Sequence, residues 1–279
     1  MKVAAIQMVS TPHVTDNLET ARNLLQKAAE KGARLAVLPE YFCAMPHSNE
    51  DKLSFAENNG DLLHSPIQST MAQIAKDLQM WIIAGTLPLR AEGLPTHVYN
   101  SCLVYNPQGE QVTRYDKIHL FHFQHSDELY DESAVHLAGT TPATFMVEQP
   151  QISYKCGLSI CYDLRFPELY RQLSAPHSKP CDIIFVPSAF THTTGQAHWE
   201  ILLRARAIEN QCYIIAAAQG GRHENGRHTW GHSMIIAPWG EILAVKDSGE
   251  GVIFADILPE RIQTVRNQLP ALSNRMLVD

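Results

Sequence analysis

Short apolar runs of strand length alternate with amphipathic segments along the whole chain. The first helical segment, at residues 17–31, spaces its apolar side chains three or four residues apart, at Leu18, Ala21, Leu24, Leu25 and Ala28. A second helix is predicted at 66–78, and strands are predicted at 3–8, 33–39, 81–87, 99–105 and in a run ending near Tyr115. Because the strand and helix patterns alternate, the sequence predicts an α/β fold.

The second half of the chain repeats the order of the first. The matching segments are V-A-A-I-Q-M at 3–8 with C-G-L-S-I-C at 156–161, L-A-V-L-P-E at 35–40 with I-I-F-V-P-S at 183–188, W-I-I-A-G at 81–85 with Y-I-I-A-A at 213–217, and N-P-Q-G-E at 106–110 with A-P-W-G-E at 237–241. Matches in one order indicate two copies of a strand–helix–strand–helix–strand–strand unit. The sequence therefore predicts a four-layer αββα sandwich with an internal pseudo-two-fold repeat, and a single domain over 1–279 because no linker composition separates the halves.

A cysteine lies where a strand pattern changes into a helical pattern. Residues 154–161 form a short, mainly apolar run, and leucines at wider spacing follow Cys161. A turn of this kind raises a side chain at the edge of a sheet and points the first N–H groups of a helix toward it, which also favours a thiolate. The alternative is a buried structural cysteine, since cysteine is among the most buried residue types.

Two charged residues stand beside apolar runs elsewhere in the chain. Glu40 follows L-A-V-L-P, so its carboxylate is delivered at the rim of a buried strand, at the edge where the repeat also places Cys161. Lys117 lies between a strand and the run I-H-L-F. Ligands of α/β sheets bind at the carboxyl ends of strands, and a carboxylate there can serve as a general base. A solvated loop glutamate and a surface lysine are the alternatives.

Together these segments resemble a known family. L-P-E at 38–40, D-K-I-H-L-F at 116–121 and G-L-S-I-C-Y-D-L-R-F-P-E-L-Y-R at 157–171 are similar, in order, to the Glu, Lys and Cys boxes of the nitrilase superfamily of carbon–nitrogen hydrolases. The resemblance implies that Cys161 attacks an amide or nitrile carbon, that Glu40 moves the protons, and that a thioester forms. It implies that Lys117 and the Tyr162 N–H stabilise the oxyanion, and that Glu132 binds the lysine.

The resemblance also bears on the substrate. Segments 197–211 and 219–240 are most similar to the branch that includes deaminated glutathione amidases, which implies a small keto-acid amide as substrate. An ω-amidase acting on α-ketoglutaramate, an acyltransferase and a non-catalytic binding protein of the same fold are the alternatives. The segment 122–131 departs from the family pattern, so it carries no assignment of substrate contacts.

Further residues are predicted to contact the substrate. Arg165, four residues after Cys161, is placed to bind a carboxylate through two parallel hydrogen bonds, with Phe190 and Thr191 supplying an apolar wall and a hydroxyl. The alternative pairs Arg165 with Asp163 or Glu168 on its own helix. No cofactor is expected.

Composition excludes several partners. A net charge of -7 argues against nucleic acid, and the sequence lacks an apolar run that could span a membrane or act as a signal peptide. The histidines show no metal-site spacing, so no metal is expected, and six cysteines without a C-x-x-C pair suit reduced thiols in the cytoplasm.

The chain is also expected to form a homodimer or a dimer-based oligomer. The resemblance implies contact through the helices at 167–173 and 198–208. The second helix carries Trp199, Leu202, Leu203 and Ala207, more apolar surface than one buried face requires. The alternative is that these side chains all face their own sheet.

Overall fold

The structure, a computed structural model, describes residues 1–125, 128–149, 152–174 and 179–276. The strands in chain order are β1 Lys2–Gln7, β2 Leu35–Val37, β3 Trp81–Ile83, β4 Leu87–Ala91, β5 Leu94–Tyr105, β6 Gln111–Asp116, β7 His122–His125, β8 Glu128–Asp131, β9 His136–Leu137, β10 Thr144–Gln149, β11 Ile152–Leu158, β12 Ile183–Phe185, β13 Tyr213–Ala216, β14 Ser233–Ile236, β15 Ile242–Lys246 and β16 Gly251–Asp256. The α-helices are α1 Val14–Glu30, α2 Pro66–Leu78, α3 Pro167–Leu173, α4 His192–Asn210 and α5 Pro259–Gln268. Short 3₁₀ turns occupy Glu50–Phe55, Glu132–Ala134 and Cys161–Arg165.

Two large sheets share one topology. The first has the order β16-β1-β2-β3-β5-β4, with β6 and β9 also paired to β5, and the second has the order β10-β11-β12-β13-β14-β15. In each sheet three parallel strands, β1-β2-β3 or β11-β12-β13, are followed by an antiparallel strand. This correspondence confirms the internal repeat that the sequence predicts.

The side chains of β1 show how the layers pack. Ala4 and Ile6 point outward into a cluster with α1 and α2, while Val3 and Ala5 join a cluster with the second sheet. Alternate residues of a strand face opposite sides of its sheet, so the first sheet separates its helices from the second sheet. The helices α3 and α4 pack on the other side of the second sheet and complete the predicted four-layer αββα sandwich.

One predicted strand divides in two. The run at 81–87 forms β3 and then turns at Gly85 before β4 begins. Gly85 has a φ of +44°, and a Cβ atom there would lie 2.0 Å from the carbonyl oxygen of Pro39. The close approach brings the chain past the end of β2, beside the residue that precedes Glu40.

The apolar residues of α4 correct the argument for a dimer. Trp199, Leu203 and Ala207 are 1%, 0% and 0% exposed and pack on their own sheet, and Leu202 packs partly against the same core. These three buried side chains are four residues apart and form a single helix face, so the predicted surplus is wrong. The exposed face of α4 instead carries Ile201 and Ile208, which are 70% and 47% exposed. Within the described residues, none of the helices is both long and apolar enough to span a membrane.

Candidate active site

All the residues predicted to act in catalysis or substrate binding line one cavity. It lies at the carboxyl ends of the central parallel strands of both sheets and is open to solvent on one side. Its lining residues are Glu40, Tyr41, Lys117, Phe121, Glu132, Cys161, Tyr162, Arg165, Ala189, Phe190, Thr191, Thr194 and Arg227. Segments far apart in sequence therefore meet at one site, as expected for ligand sites at strand ends.

Glu40 is held from both its backbone and its side chain. It lies just beyond β2 and is 1% exposed. Its carbonyl oxygen accepts a hydrogen bond of 3.1 Å from Gln219 Nε2, so a residue of the second half fixes this segment of the first. Its Oε1 accepts bonds of 2.9 Å from both Asn100 Nδ2 and Lys117 Nζ. The carboxylate therefore has a fixed direction, which a general base needs.

Lys117 lies fully buried between two carboxylates. Its Nζ is 2.9 Å from Glu40 Oε1 and 2.8 Å from Glu132 Oε2. Burial alone would lower the pKa of this lysine, but attraction to Glu132 and Glu40 outweighs burial and raises it. Lys117 is therefore a cation at every physiological pH.

Glu132 anchors this lysine. One carboxylate oxygen accepts from the Tyr41 hydroxyl, and the other accepts from Lys117 and, at 2.7 Å, from the Phe121 N–H. Burial opposes ionisation of Glu132, but Lys117 prevails and holds its pKa below the ordinary value. Glu132 thus stays ionised and fixes the position of the ammonium group.

Cys161 begins a short 3₁₀ turn, not the continuous helix that the sequence predicts. Its φ is +48°, in the left-handed region that non-glycine residues rarely adopt. Its N–H donates to the Pro187 oxygen at 2.9 Å, and the turn ends at Phe166, which is extended because Pro167 follows. Such strained backbone persists where the surroundings fix it, and it often marks functional sites.

The protonation state of Cys161 corrects a second expectation. Burial raises the pKa of the thiol well above its usual value, and repulsion from Glu40 adds to the rise, while Lys117 opposes it. The expectation that the helix end favours a thiolate is wrong, because the turn is only five residues long and burial dominates. The resting group is a neutral thiol beside a carboxylate base, so its proton must leave when it attacks.

Asp163 joins the cysteine turn to the lysine loop. Its fully buried carboxylate accepts from the Ile160 N–H at 2.8 Å, the Tyr115 hydroxyl at 2.7 Å, the His119 N–H at 3.1 Å and the His119 ring at 2.7 Å. Ile160 precedes the nucleophile, and His119 lies two residues after Lys117. Asp163 therefore fixes the distance between these two segments.

Of the residues predicted to contact the substrate, Arg165 is free of a carboxylate partner within the described ranges, whereas the Thr191 hydroxyl is already hydrogen-bonded. Arg165 lies over the Phe190 ring at 5.2 Å, and its Nη1 is 3.1 Å from His198 Nδ1. Among the described residues no carboxylate pairs with Arg165, so the alternative pairing with Asp163 or Glu168 is not formed. The Thr191 hydroxyl caps α4, with Thr194 N 3.3 Å away, so capping already uses it.

Several residues that line the cavity or hold its carboxylates have no counterpart in the sequence prediction. Asn100 holds Glu40, Tyr41 holds Glu132, and Phe121, Thr194 and Arg227 line the cavity. The sequence does mark Asn100, because it lies on the same strand face as the apolar Cys102 and Val104 and is thus a polar residue on a buried face. Arg227 lies in a polar loop segment, where no periodic pattern distinguishes one arginine from another.

Two of the histidines, His119 and His223, contact protein groups. His119 stacks on Phe166 with ring centroids 3.7 Å apart, and His223 contacts the Ser10 oxygen at 2.9 Å and Thr229 Oγ1 at 2.8 Å. Over the described ranges, no group of three or more histidine, cysteine or acidic side chains is arranged to hold a metal ion.

Comparison with known proteins identifies the relatives of this chain. A sequence model of the family "carbon-nitrogen hydrolase" matches residues 2–267. A deaminated glutathione amidase of Synechocystis is 42% identical over 99% of this chain and 98% of its own length. An omega-amidase of Xenopus tropicalis is 36% identical over 98% of this chain and 94% of its own length.

Solved structures show the same likeness. The Caenorhabditis elegans NitFhit protein superposes with a TM-score of 0.87 at 33% identity, over 99% of this chain and 65% of that one. Saccharomyces cerevisiae Nit3, described as a member of the nitrilase superfamily, superposes with a TM-score of 0.86 at 29% identity, over 99% of this chain and 97% of its own.

Proposed function

The chain belongs to the carbon–nitrogen hydrolase family, and from this premise we propose that Glu40, Lys117 and Cys161 hydrolyse the amide of a small keto acid of the deaminated glutathione type. The enzyme is a hydrolase of carbon–nitrogen bonds other than peptide bonds. The observation that carries the proposal is the single cavity in which a buried thiol, a fixed carboxylate and a paired ammonium meet.

The first half-reaction forms a thioester. The Cys161 sulfur attacks the amide carbon while its proton passes to the Glu40 carboxylate. The negative charge that develops on the substrate oxygen is stabilised by Lys117 and by the N–H of Tyr162, a donor without an acceptor in the described part of the chain. Glu40 then gives its proton to the nitrogen, the C–N bond breaks, and the amine leaves.

The second half-reaction releases the acid. Glu40 accepts a proton from water, the resulting oxygen nucleophile attacks the thioester carbon, and the C–S bond breaks as Glu40 returns that proton to the Cys161 sulfur. Glu132 acts through Lys117 by holding it in place, so it is a positioning residue. Asn100 has the same role toward Glu40.

The substrate class rests on the relatives and on Arg165. Arg165 has no carboxylate partner among the residues that the structure describes, so its guanidinium can bind the carboxylate of a keto acid, with Phe190 beneath it as an apolar wall. The deaminated glutathione amidase of Synechocystis supports an amide with a dipeptide leaving group. The omega-amidase of Xenopus tropicalis supports a second candidate, α-ketoglutaramate, which releases ammonia.

A panel of amides tests the proposal. We expect the native chain to hydrolyse deaminated glutathione, α-ketoglutaramate or both, with amine or ammonia release measured directly. Cys161→Ala, Glu40→Gln and Lys117→Ala should each abolish turnover while circular dichroism stays unchanged. The exposed Lys76→Ala on α2 is the matched control and should retain full activity. Normal turnover in any of the three variants would refute the triad, and transfer to an added amine without hydrolysis would indicate an acyltransferase.

We also propose a homodimer through the outer face of α4. Ile201, Ile208 and Trp239 are exposed, and Arg204 Nε donates to the Gly240 oxygen at 2.9 Å, which places the Trp239 turn beside the helix. A two-fold contact would bury these side chains. Light scattering at micromolar concentration should give twice the chain mass, and Ile208→Lys should shift it toward the monomer. A monomer mass for the native chain would refute the dimer.

Two further properties belong to this proposal. The cavity takes Glu40 and Lys117 from one half of the chain and Cys161 from the other, which supports a single catalytic domain over 1–279. The six cysteines are buried free thiols, which supports a working place in the reducing cytoplasm.

A further inference from the structure

A second guanidinium lines the cavity from another segment of the chain. Arg227 lies in the loop between β13 and β14, and this loop is fastened to the segment that follows Glu40. Asn225 makes the connection, because its Nδ2 donates to the Pro46 oxygen at 2.7 Å and its Oδ1 accepts from the Arg227 N–H at 3.0 Å. The position of Arg227 relative to Glu40 is therefore set by hydrogen bonds.

The described contacts of the Arg227 guanidinium are with a thioether and an aromatic ring. Its Nη1 lies 3.4 Å from the Met45 sulfur, and its guanidinium lies 5.3 Å from the centre of the Tyr130 ring. In the described part of the chain, no carboxylate comes within ion-pair distance of it. A half-buried charge without a partner is costly, and charged groups in such places are normally paired. The charge of Arg227 is therefore available to a bound anion.

We propose that Arg227 binds a carboxylate on the amine portion of the substrate, the portion that leaves. This inference rests on the proposed function. Arg165 lies on the turn of the nucleophile, where the acyl portion is held, whereas Arg227 contacts Met45 in the segment that continues from Glu40. Glu40 protonates the departing nitrogen, so the leaving amine extends toward its side of the cavity. The two guanidiniums thus fit an amide with a carboxylate at each end.

This assignment separates the two candidate substrates. An amide whose leaving amine ends in a carboxylate binds both Arg165 and Arg227. A primary amide releases ammonia, so its leaving group has no carboxylate for Arg227 to bind. The arrangement therefore favours the deaminated glutathione type over α-ketoglutaramate.

The test compares two amides that differ only at the end of the leaving amine. One is a keto-acid amide whose amine portion ends in a free carboxylate, and the other has that carboxylate capped as a neutral carboxamide. Arg227→Gln should lower kcat/KM for the acid about 10- to 100-fold, mostly through KM, because a charge-assisted contact is lost. It should change kcat/KM for the capped amide less than about twofold. Arg227→Lys should fall between the native chain and Arg227→Gln, since it keeps the charge but not the fork.

Controls distinguish the possible failures. Arg222→Gln removes an exposed arginine of the same loop that does not line the cavity, and it should leave both substrates unaffected. Equal losses on both amides in Arg227→Gln and Arg227→Lys, or no loss on either, would overturn this inference alone. If the native chain hydrolyses α-ketoglutaramate but neither of these two amides, this inference alone is overturned. No hydrolysis of any of the three would refute the proposed function and this inference with it.

Discussion

Replacing Asp163 with asparagine tests how the cysteine turn and the lysine loop are joined. The carboxylate uses one oxygen for the Ile160 N–H and the Tyr115 hydroxyl, and the other for the N–H and ring of His119. Asparagine has nearly the same shape but only one acceptor oxygen. Whichever way its amide turns, an NH₂ group replaces an oxygen that accepts two hydrogen bonds.

The expected cost follows from these contacts. Two hydrogen bonds to a charged acceptor are lost in a fully buried place, and each contributes about 1.5–3 kcal/mol. Part of this is recovered by relaxation, so the free energy of unfolding should fall by about 3 kcal/mol. The turnover number should fall about 10- to 100-fold, because a shift of about 1 Å between catalytic groups has effects of that size.

Urea unfolding and steady-state kinetics measure the two effects separately. Asp61→Asn is the matched control, since that carboxylate is 38% exposed and pairs with His64 at the surface, and it should change neither quantity. Asp163→Asn with a native urea midpoint and a native kcat would show that Asp163 does not join the two segments. Lost stability with native kcat would limit its role to the fold.

Three further changes give distinct expectations. Asn100→Ala removes a donor from Glu40 and should lower kcat about tenfold with little change in KM, as steady-state kinetics would show. Gly85→Ala should lower both thermal stability and turnover, since a Cβ there would lie 2.0 Å from the Pro39 oxygen. Gly93→Ala is the control: it has open space around it, so only its φ of +73° should destabilise the variant. Lys52 is buried, and burial lowers its pKa to about 7, so unfolding takes up a proton between pH 7 and the ordinary lysine value of 10.5. As the pH rises across that window, the free energy of unfolding of Lys52→Met should therefore decrease relative to that of the native chain by about 1.4 kcal/mol per pH unit. Urea titrations at several pH values measure this difference.

Opposite results would contradict each of these arguments. Native kcat in Asn100→Ala would mean that Lys117 alone orients Glu40. Equal destabilisation by Gly85→Ala and Gly93→Ala would mean that the contact with Pro39 is relieved elsewhere. A pH-independent difference for Lys52→Met would mean that this lysine stays charged in the folded chain.

The local sequence pattern predicts the strands and helices, because the apolar positions within each segment indicate which of its side chains are buried. The repeat of 3–8 at 156–161 and of 35–40 at 183–188 was enough to pair the two sheets and to bring Glu40 and Cys161 to one edge. The family resemblance supplied Glu132 and the role of Lys117, and the Lys117 ammonium lies within 3 Å of both Glu40 and Glu132. Their catalytic roles remain predictions.

Other features depend on contacts that a local pattern does not contain. Burial by distant segments raises the pKa of the Cys161 thiol, and the extended Phe166 before Pro167 interrupts the helix that leucine spacing predicts. On α4 the number of apolar residues was misleading, although their spacing separates buried Leu203 from exposed Ile201 and Ile208. Arg227 reaches the cavity from a loop that Asn225 ties to the segment after Glu40.

The most direct test of the account is the mass of the enzyme during turnover. The native chain is mixed with a keto-acid amide, quenched in acid within milliseconds to seconds, and examined by mass spectrometry before and after digestion. The account predicts a gain equal to the acyl portion of the amide, located on the peptide that contains Cys161. The adduct should be absent from Cys161→Ala and present in Cys102→Ala, which removes another buried thiol. An acyl group on a different residue, or undiminished turnover by Cys161→Ala, would contradict the account.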